Sequence, residues 1–261
     1  TLWSWGYNEY GNLGQGSAAG HDRISSPVQI PGTTWGGNYE TLWTNSNGGV
    51  YAIKTDNTLW VWGAGSGGIL GTNTTVDGYS SPVQIPGTTW SKVSDTVAIK
   101  TDGTLWAWGS GFSGQLANNR SGPSAAPTGS GYWISSPIQI PGTTWRTVSA
   151  KNSCTVATKT DGTLWVWGQQ TNGQLGTNQG TVRYSSPVQV PGTTWDDVRL
   201  GFKAGYGLKT DGTLWSWGYN TYGQLGNDNV TSYSSPVQVG SLTGWLSVSG
   251  GGACAAGLVQ I

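Results

Sequence analysis

Val97-Ala98-Ile99-Lys100-Thr101-Asp102-Gly103-Thr104-Leu105-Trp106-Ala107-Trp108-Gly109 reads as two β-strands joined by a tight turn. Asp-Gly between apolar runs is the strongest short-range hairpin signal, because both central residues of a type I′ turn need positive φ. In the second strand Leu105 and Ala107 share one face and Trp106 and Trp108 the other, since side chains alternate along a strand. Both faces are apolar, so both need cover. A sheet stacked between two neighbouring sheets meets that need, as in the blades of a propeller.

The same words recur along the 261 residues. Thr-Leu-Trp-x-Trp-Gly occurs five times, with its Leu at Leu2, Leu59, Leu105, Leu164 and Leu214. Ser-Ser-Pro-Val/Ile-Gln occurs five times, with its Pro at Pro27, Pro82, Pro137, Pro187 and Pro236. A Trp follows each: Trp35, Trp90, Trp145, Trp195 and Trp245. Lys-Thr-Asp-Gly/Asn precedes four of the Thr-Leu-Trp copies, at Asp56, Asp102, Asp161 and Asp211. Self-similarity at such a period marks a repeat architecture. Each unit is expected to hold four strands: one from the lone Trp, one of the Val-Ala-Ile-Lys type, one of Thr-Leu-Trp-x-Trp, and one of Pro-Val-Gln, where Pro suits a strand start or an edge. Asp in the turn bonds its own backbone, and the adjacent Lys is expected in solvent or paired across the hairpin.

The segment Trp245 to Ile261 matches the first two strands of a unit, and Thr1 to Ile30 the last two. The expected fold is therefore all-β: one domain over 1–261, a closed β-propeller of five four-stranded blades, with the N- and C-terminal strands sharing one blade. Burying one Trp of ~200 Å² is worth on the order of 5 kcal/mol gross, so the repeated Trp residues are expected in the core.

Composition narrows function. The net charge is zero and charged residues are 9% of the chain, which gives no footprint for nucleic acid. No apolar run approaches the ~20 residues of a membrane helix, so no membrane insertion is expected. The chain has no Met, which suggests a processed, trimmed or longer product. Sparse charge with much Gly, Ser, Thr, Asn and Trp suits an extracellular or virion-surface protein. The two cysteines, Cys154 and Cys254, are too few for a disulfide framework or a zinc site, and are expected as free buried thiols.

The loops Gly173-Gln174-Leu175-Gly176 and Gly223-Gln224-Leu225-Gly226, with degenerate copies at Gly11, Gly68 and Gly114, complete a pattern that resembles the regulator of chromosome condensation repeat family. The resemblance covers the whole chain and implies a propeller, usually of seven blades where five are counted here. The family's His, seven residues before the Asp, is replaced by Gly49, Asp95, Cys154, Ala204 and Cys254. The resemblance therefore implies the fold more than the founder's nucleotide-exchange role.

Strands that run up and down a blade put alternate turns on opposite rims. One rim is nearly constant: Asp to Leu is 3 residues in all four hairpins, and Pro to Trp is 8 four times and 9 once. The other varies: Trp to the Asp position spans 21, 12, 16, 16 and 16 residues, and Trp-Gly to Pro spans 21, 19, 28, 19 and 18. Variable loops on a constant frame are where binding usually resides. The two largest insertions are Gly36 to Gly49, with Tyr39, Glu40, Trp43 and Asn45, and Asn118 to Ile134, with Arg120, Tyr132 and Trp133. Fifteen of the 17 Trp hold repeat positions, and the other two are Trp43 and Trp133. These aromatics either offer contact area to a partner or fold down as plugs over the blade edge.

His21 is the only His, a poor basis for a metal site or a triad. Asp196 and Asp197 are adjacent on a strand and so point apart. No cofactor or metal is expected, and no enzyme activity. The leading expectation is a binding scaffold for a protein or glycan, with Tyr39, Trp43, Arg120, Tyr132 and Trp133 as the candidate site. The alternatives are a purely structural virion decoration or fibre domain, and a guanine-nucleotide exchange factor.

Overall fold

The computed structural model describes residues 1–16, 22–37, 40–45, 48–120, 133–151 and 153–260. The chain divides into two compact units. The first holds a two-stranded sheet, β1 (Leu2–Tyr7) and β2 (Arg23–Ile30), and two four-stranded sheets. These are β3 (Leu42–Thr44), β4 (Gly49–Ile53), β5 (Leu59–Ala64) and β6 (Gly78–Gln84), then β7 (Trp90–Ser94), β8 (Val97–Lys100), β9 (Leu105–Ser110) and β10 (Trp133–Ile140).

The second unit has the sheets β11 (Trp145–Lys151), β12 (Cys154–Lys159), β13 (Leu164–Gln170), β14 (Val182–Val190), and β15 (Trp195–Leu200), β16 (Ala204–Lys209), β17 (Leu214–Gly218), β18 (Tyr233–Gln238). It ends in a two-stranded sheet of β19 (Trp245–Gly250) and β20 (Ala255–Val259), and carries residues 112–120 as well. Every sheet is an antiparallel meander in chain order, as the hairpin signals require.

The third strand of each sheet carries the same irregularity. In the second sheet Leu105 faces Ile140 and Ala107 faces Ile138, then the register skips and Gly109 faces Ile134. The Gly of Trp-Gly sits at this bulge with φ between +82° and +113° in all five copies. A Cβ added at Gly168 would lie 2.0 Å from the Ser153 carbonyl oxygen, so only glycine fits.

Packing follows the alternation of faces. In the first unit the Leu face of β5 (Leu59, Val61) packs on the Trp face of the next sheet (Trp90, Trp108). In the second unit Leu164 and Val166 meet Trp195 and Trp217, and Leu208 and Leu214 meet Trp245 and Val248. In each of the four-stranded sheets the lone Trp packs across the second Trp of the third strand, as Trp195 crosses Trp217 at 5.9 Å and 73°. Such edge-to-face pairs add ~1 kcal/mol beyond area.

Successive sheets are latched by the Gly-x-Leu-Gly loops. The second Trp of each third strand donates its indole N–H to the loop before it: Trp62 to Asn12 O (3.1 Å), Trp108 to Ile69 O, Trp167 to Gln115 O and Trp217 to Gln174 O (each 2.9 Å). The following Asn, at positive φ, donates its N–H to a Ser carbonyl of the next fourth strand, as Asn73 to Ser135, Asn119 to Ser185 and Asn178 to Ser234.

β1 pairs with β2 and β20 with β19, each in a two-stranded sheet. Two expectations need correction. In the first four-stranded sheet the lone Trp does not start its strand. Trp35 makes an isolated bridge to Lys54 and β3 begins at Leu42, because the insertion after Gly36 breaks the run. Both cysteines are free, but only Cys154 is buried; Cys254 is exposed beside the two-stranded sheet that leaves it uncovered.

Candidate binding surface

The β3–β4, β5–β6 and β7–β8 connections lie at one end of the first unit's sheets. The described part of the Gly36 to Gly49 insertion is fastened there by polar contacts. Lys92 Nζ pairs with Glu40 Oε1 at 2.8 Å, and the Val93 N–H donates to Glu40 O at 2.9 Å. Asn45 Nδ2 donates to Asp95 Oδ1 at 3.3 Å, and Asn45 Oδ1 accepts from the Gly49 N–H at 2.8 Å. Asp95 holds φ at +52°, and burial pushes its carboxyl up to about 6 against the hydrogen bond from Asn45.

The two Trp outside the repeat pattern behave differently. Trp43 faces Tyr51 across the β3–β4 pair and is half-buried against the cluster of Tyr51, Trp90 and Trp108. Trp133 opens β10 opposite Ser110 and is 46% exposed. Its ring lies on the 3-10 turn Ser66–Gly68: a Cβ on Gly67 would stand 2.2 Å from the ring, and Gly67 has φ +70°. A half-open indole seated on backbone is a rigid contact surface. Tyr39 and Tyr132 lie outside the described residues. In the second unit Arg120 is exposed, and its N–H donates to Asn118 Oδ1 at 3.2 Å.

At the opposite end of the sheets the structure shows something that sequence reasoning missed. The hairpin Asp behaves as expected: Asp102 Oδ1 accepts from the Thr104 N–H at 2.9 Å and from Thr104 Oγ1 at 2.6 Å, and these bonds hold its carboxyl below the usual range. The neighbouring Lys, partly exposed, is held against aromatic rings. Lys100 Nζ lies 4.8 Å and 4.2 Å from the ring centroids of Trp90 and Trp106. Lys54, Lys159 and Lys209 lie over two indoles in the same way. The signal was present: a Lys repeated beside a repeated Trp suits a cation on an aromatic face. An open groove of about 410 Å³ runs past Trp90, Lys100, Trp106 and Pro137. Among the described residues no three His, Cys, Asp or Glu side chains group as a metal site.

No curated protein sequence matches the chain. Solved structures do. Human WBSCR16 superposes with a TM-score of 0.78 at 19% identity, covering 96% of this chain and 65% of that one. Yeast RCC1 (Prp20) bound to Kap60 gives 0.73 at 18% identity, with 96% and 62% covered. Prp20p from Saccharomyces cerevisiae, described with its binding to Gsp1p and histones, gives 0.72 at 15%, with 92% and 60% covered. The chain thus spans less than two thirds of each, and at these identities the likeness shows the all-β, propeller-type fold. The regulator of chromosome condensation (RCC1) repeat model matches residues 1–39, 161–201 and 211–258, and a second RCC1 repeat model matches 195–224. Matched by these repeats over just over half of its residues, and carrying their strand-turn-strand units in its sheets, this chain belongs to the RCC1 repeat family.

Proposed function

We propose that the chain is a non-enzymatic scaffold that binds a protein partner, with the variable rim of the first unit as its contact surface. The observation that carries this reading is Trp133, an indole outside the repeat pattern that stays 46% exposed while its ring is seated on the Ser66–Gly68 turn. Rigid aromatics that present area at low entropic cost are the usual anchors of protein interfaces. The insertion fastened by Glu40 and Asn45 adds polar groups at the same end of the sheets. The structural relatives whose descriptions name partners bind proteins: Kap60 in one, Gsp1p and histones in another.

The test is affinity capture on the immobilised chain, followed by titration of the captured protein against Trp133→Ala and Lys100→Ala. Trp133→Ala is expected to weaken binding at least tenfold with little change in melting temperature. Lys100→Ala, on the constant rim, is expected to leave affinity unchanged. Equal loss in both variants, or none in Trp133→Ala, would remove the variable rim from the reading.

A further inference from the structure

The lone Trp of each repeat leaves its indole N–H unspent. Trp35, Trp90, Trp145, Trp195 and Trp245 all bury Nε1 without a hydrogen-bond partner. Both Trp of the third strand in each four-stranded sheet do donate, as Trp106 to Thr104 Oγ1 at 2.9 Å and Trp108 to Ile69 O at 2.9 Å. A buried donor without an acceptor is costly, and folded proteins keep one only for a reason, such as a bound water or ligand. An indole N–H can only donate, so whatever meets it must accept.

At Trp90 a second donor borders the same point. A Cβ on Gly87, whose φ is +101°, would have Lys100 Nζ at 3.6 Å and Trp90 Nε1 at 3.7 Å as its two nearest neighbours. The ammonium and the indole N–H therefore face the space that a side chain at Gly87 would fill. Among the described residues Lys100 has no ion-pair partner, and the nearby Asp102 carboxylate accepts from Thr104 instead. The rings of Trp90 and Trp106 attract the charge of Lys100 without offering it a lone pair. The space belongs to the groove of about 410 Å³, whose lining lies wholly in the first unit. Pro86, Pro137 and the half-buried Trp106 give it apolar walls. Ser136 Oγ, also on the lining, donates to Asn73 Oδ1 at 2.8 Å, which leaves the Asn73 amide Nδ2 as a third donor.

We propose that this groove binds the C-terminal residue of a peptide chain. The terminal carboxylate accepts from Lys100 Nζ and Trp90 Nε1, the side chain of that residue lies on Pro86 and Pro137, and the carbonyl before it accepts from Asn73. One ammonium balances one negative charge, and apolar walls penalise a second, which favours a carboxylate over a dianionic phosphate. The unspent polar groups of the groove are donors, so they suit a ligand whose polar atoms are mostly acceptors. A carboxylate and a carbonyl meet that demand, and the lone pairs of Ser136 Oγ can take the single N–H of the terminal residue. A saccharide brings a hydroxyl donor at nearly every carbon and would leave most of them unmet. Capture of a terminal carboxylate by converging donors is a recurring mode of peptide recognition. The site lies on the constant rim and does not rest on Trp133.

Titration of the isotope-labelled chain with acetyl-glycyl-glycyl-leucine, followed by nitrogen–proton correlation spectra of its indole N–H groups, tests it. Carried to about 20 mM, the titration reaches the millimolar affinities of small ligands. The assigned Trp90 indole resonance is expected to move downfield and saturate as its N–H gains an acceptor. The same peptide with a C-terminal amide is expected to bind at least about tenfold more weakly, the loss of one hydrogen bond to a charged group. The acid is expected to lose as much on Lys100→Met, which keeps an unbranched stem on the two indoles. Should that variant fail to fold, the comparison of acid with amide on the unmodified chain decides alone. The proposal is overturned by an amide that binds as well as the acid. It is equally overturned if glucuronate or inorganic phosphate moves the Trp90 resonance at lower concentration than the peptide, or if the resonance stays in place throughout because only water meets that N–H.

Discussion

Five aspartates show how one side chain acquires opposite roles. Asp56, Asp102, Asp161 and Asp211 accept two bonds each from the Thr two residues on, which lowers their pKa values. A depressed carboxyl contributes stability above the unfolded value near 3.9, and this is lost as pH falls through the folded value. Asp102→Asn is therefore expected to lower the melting temperature at pH 5, with the difference shrinking toward pH 2. Asp95 runs the other way, since burial raises it to about 6. Its stabilising contribution is complete below about pH 4 and is lost as pH rises through 6. Asp95→Asn can keep the contact with Asn45 and tolerates the positive φ. It is expected to stabilise the chain at pH 7 by on the order of 1–2 kcal/mol, a gain that fades toward pH 4 in thermal melts. The turn role of the first four was legible from Asp-Gly alone. The burial of Asp95 was not, because it depends on Asn45 arriving from an insertion fifty residues away. The cysteines divide likewise: burial pushes the Cys154 thiol up to about 12, while Cys254 is exposed. Titration with a chromogenic disulfide is expected to find one reactive thiol in the native chain and two after denaturation.

At the scale of the element, the strand order could be read from the sequence because hairpins are local and their turn residues are specific. What escaped was the bulge. The register skip between Ile134 and Ile138 leaves Ser135, Ser136 and Pro137 without ladder partners. This is why Pro, which lacks a backbone donor, is tolerated inside β10. The matching Gly of Trp-Gly bends the third strand, a role that its place after Trp does not announce. Gly168→Ala combines positive φ with a collision against the Ser153 carbonyl. It is expected to cost about 2–4 kcal/mol, read from urea unfolding, while Ala at solvent-facing Gly180 is expected to change little. The insertion after Gly36 was legible as an insertion because repeat spacing exposes any excess. That three of its residues would form β3, with Trp43 turned toward Tyr51, depends on packing against β7, which no local pattern records.

For the whole molecule, repeat arithmetic specified how many strands exist, because each repeat carries its own turn residues. The charge inventory is the one whole-chain property with a direct kinetic consequence. Lys and Arg number 12, Asp and Glu 12. Among the described residues three Lys or Arg side chains are ion-paired, with Glu40, Asp196 and Asp197, and four Lys lie on indoles with their charge intact. With the two signs equal in number the chain has no net charge to act at a distance, and at physiological salt the field of each group is screened within ~8 Å. A partner of the variable rim should therefore approach without electrostatic steering, with an association rate constant in the ordinary range of ~10⁵–10⁶ M⁻¹s⁻¹. Between 50 and 500 mM salt that constant is expected to change by less than about threefold, because steered associations are the ones that fall steeply with ionic strength. Stopped-flow mixing of the captured partner with the chain, followed by Trp fluorescence, measures it. A steep salt dependence would mean that the contact is carried by charged groups such as Arg120 rather than by the indole of Trp133.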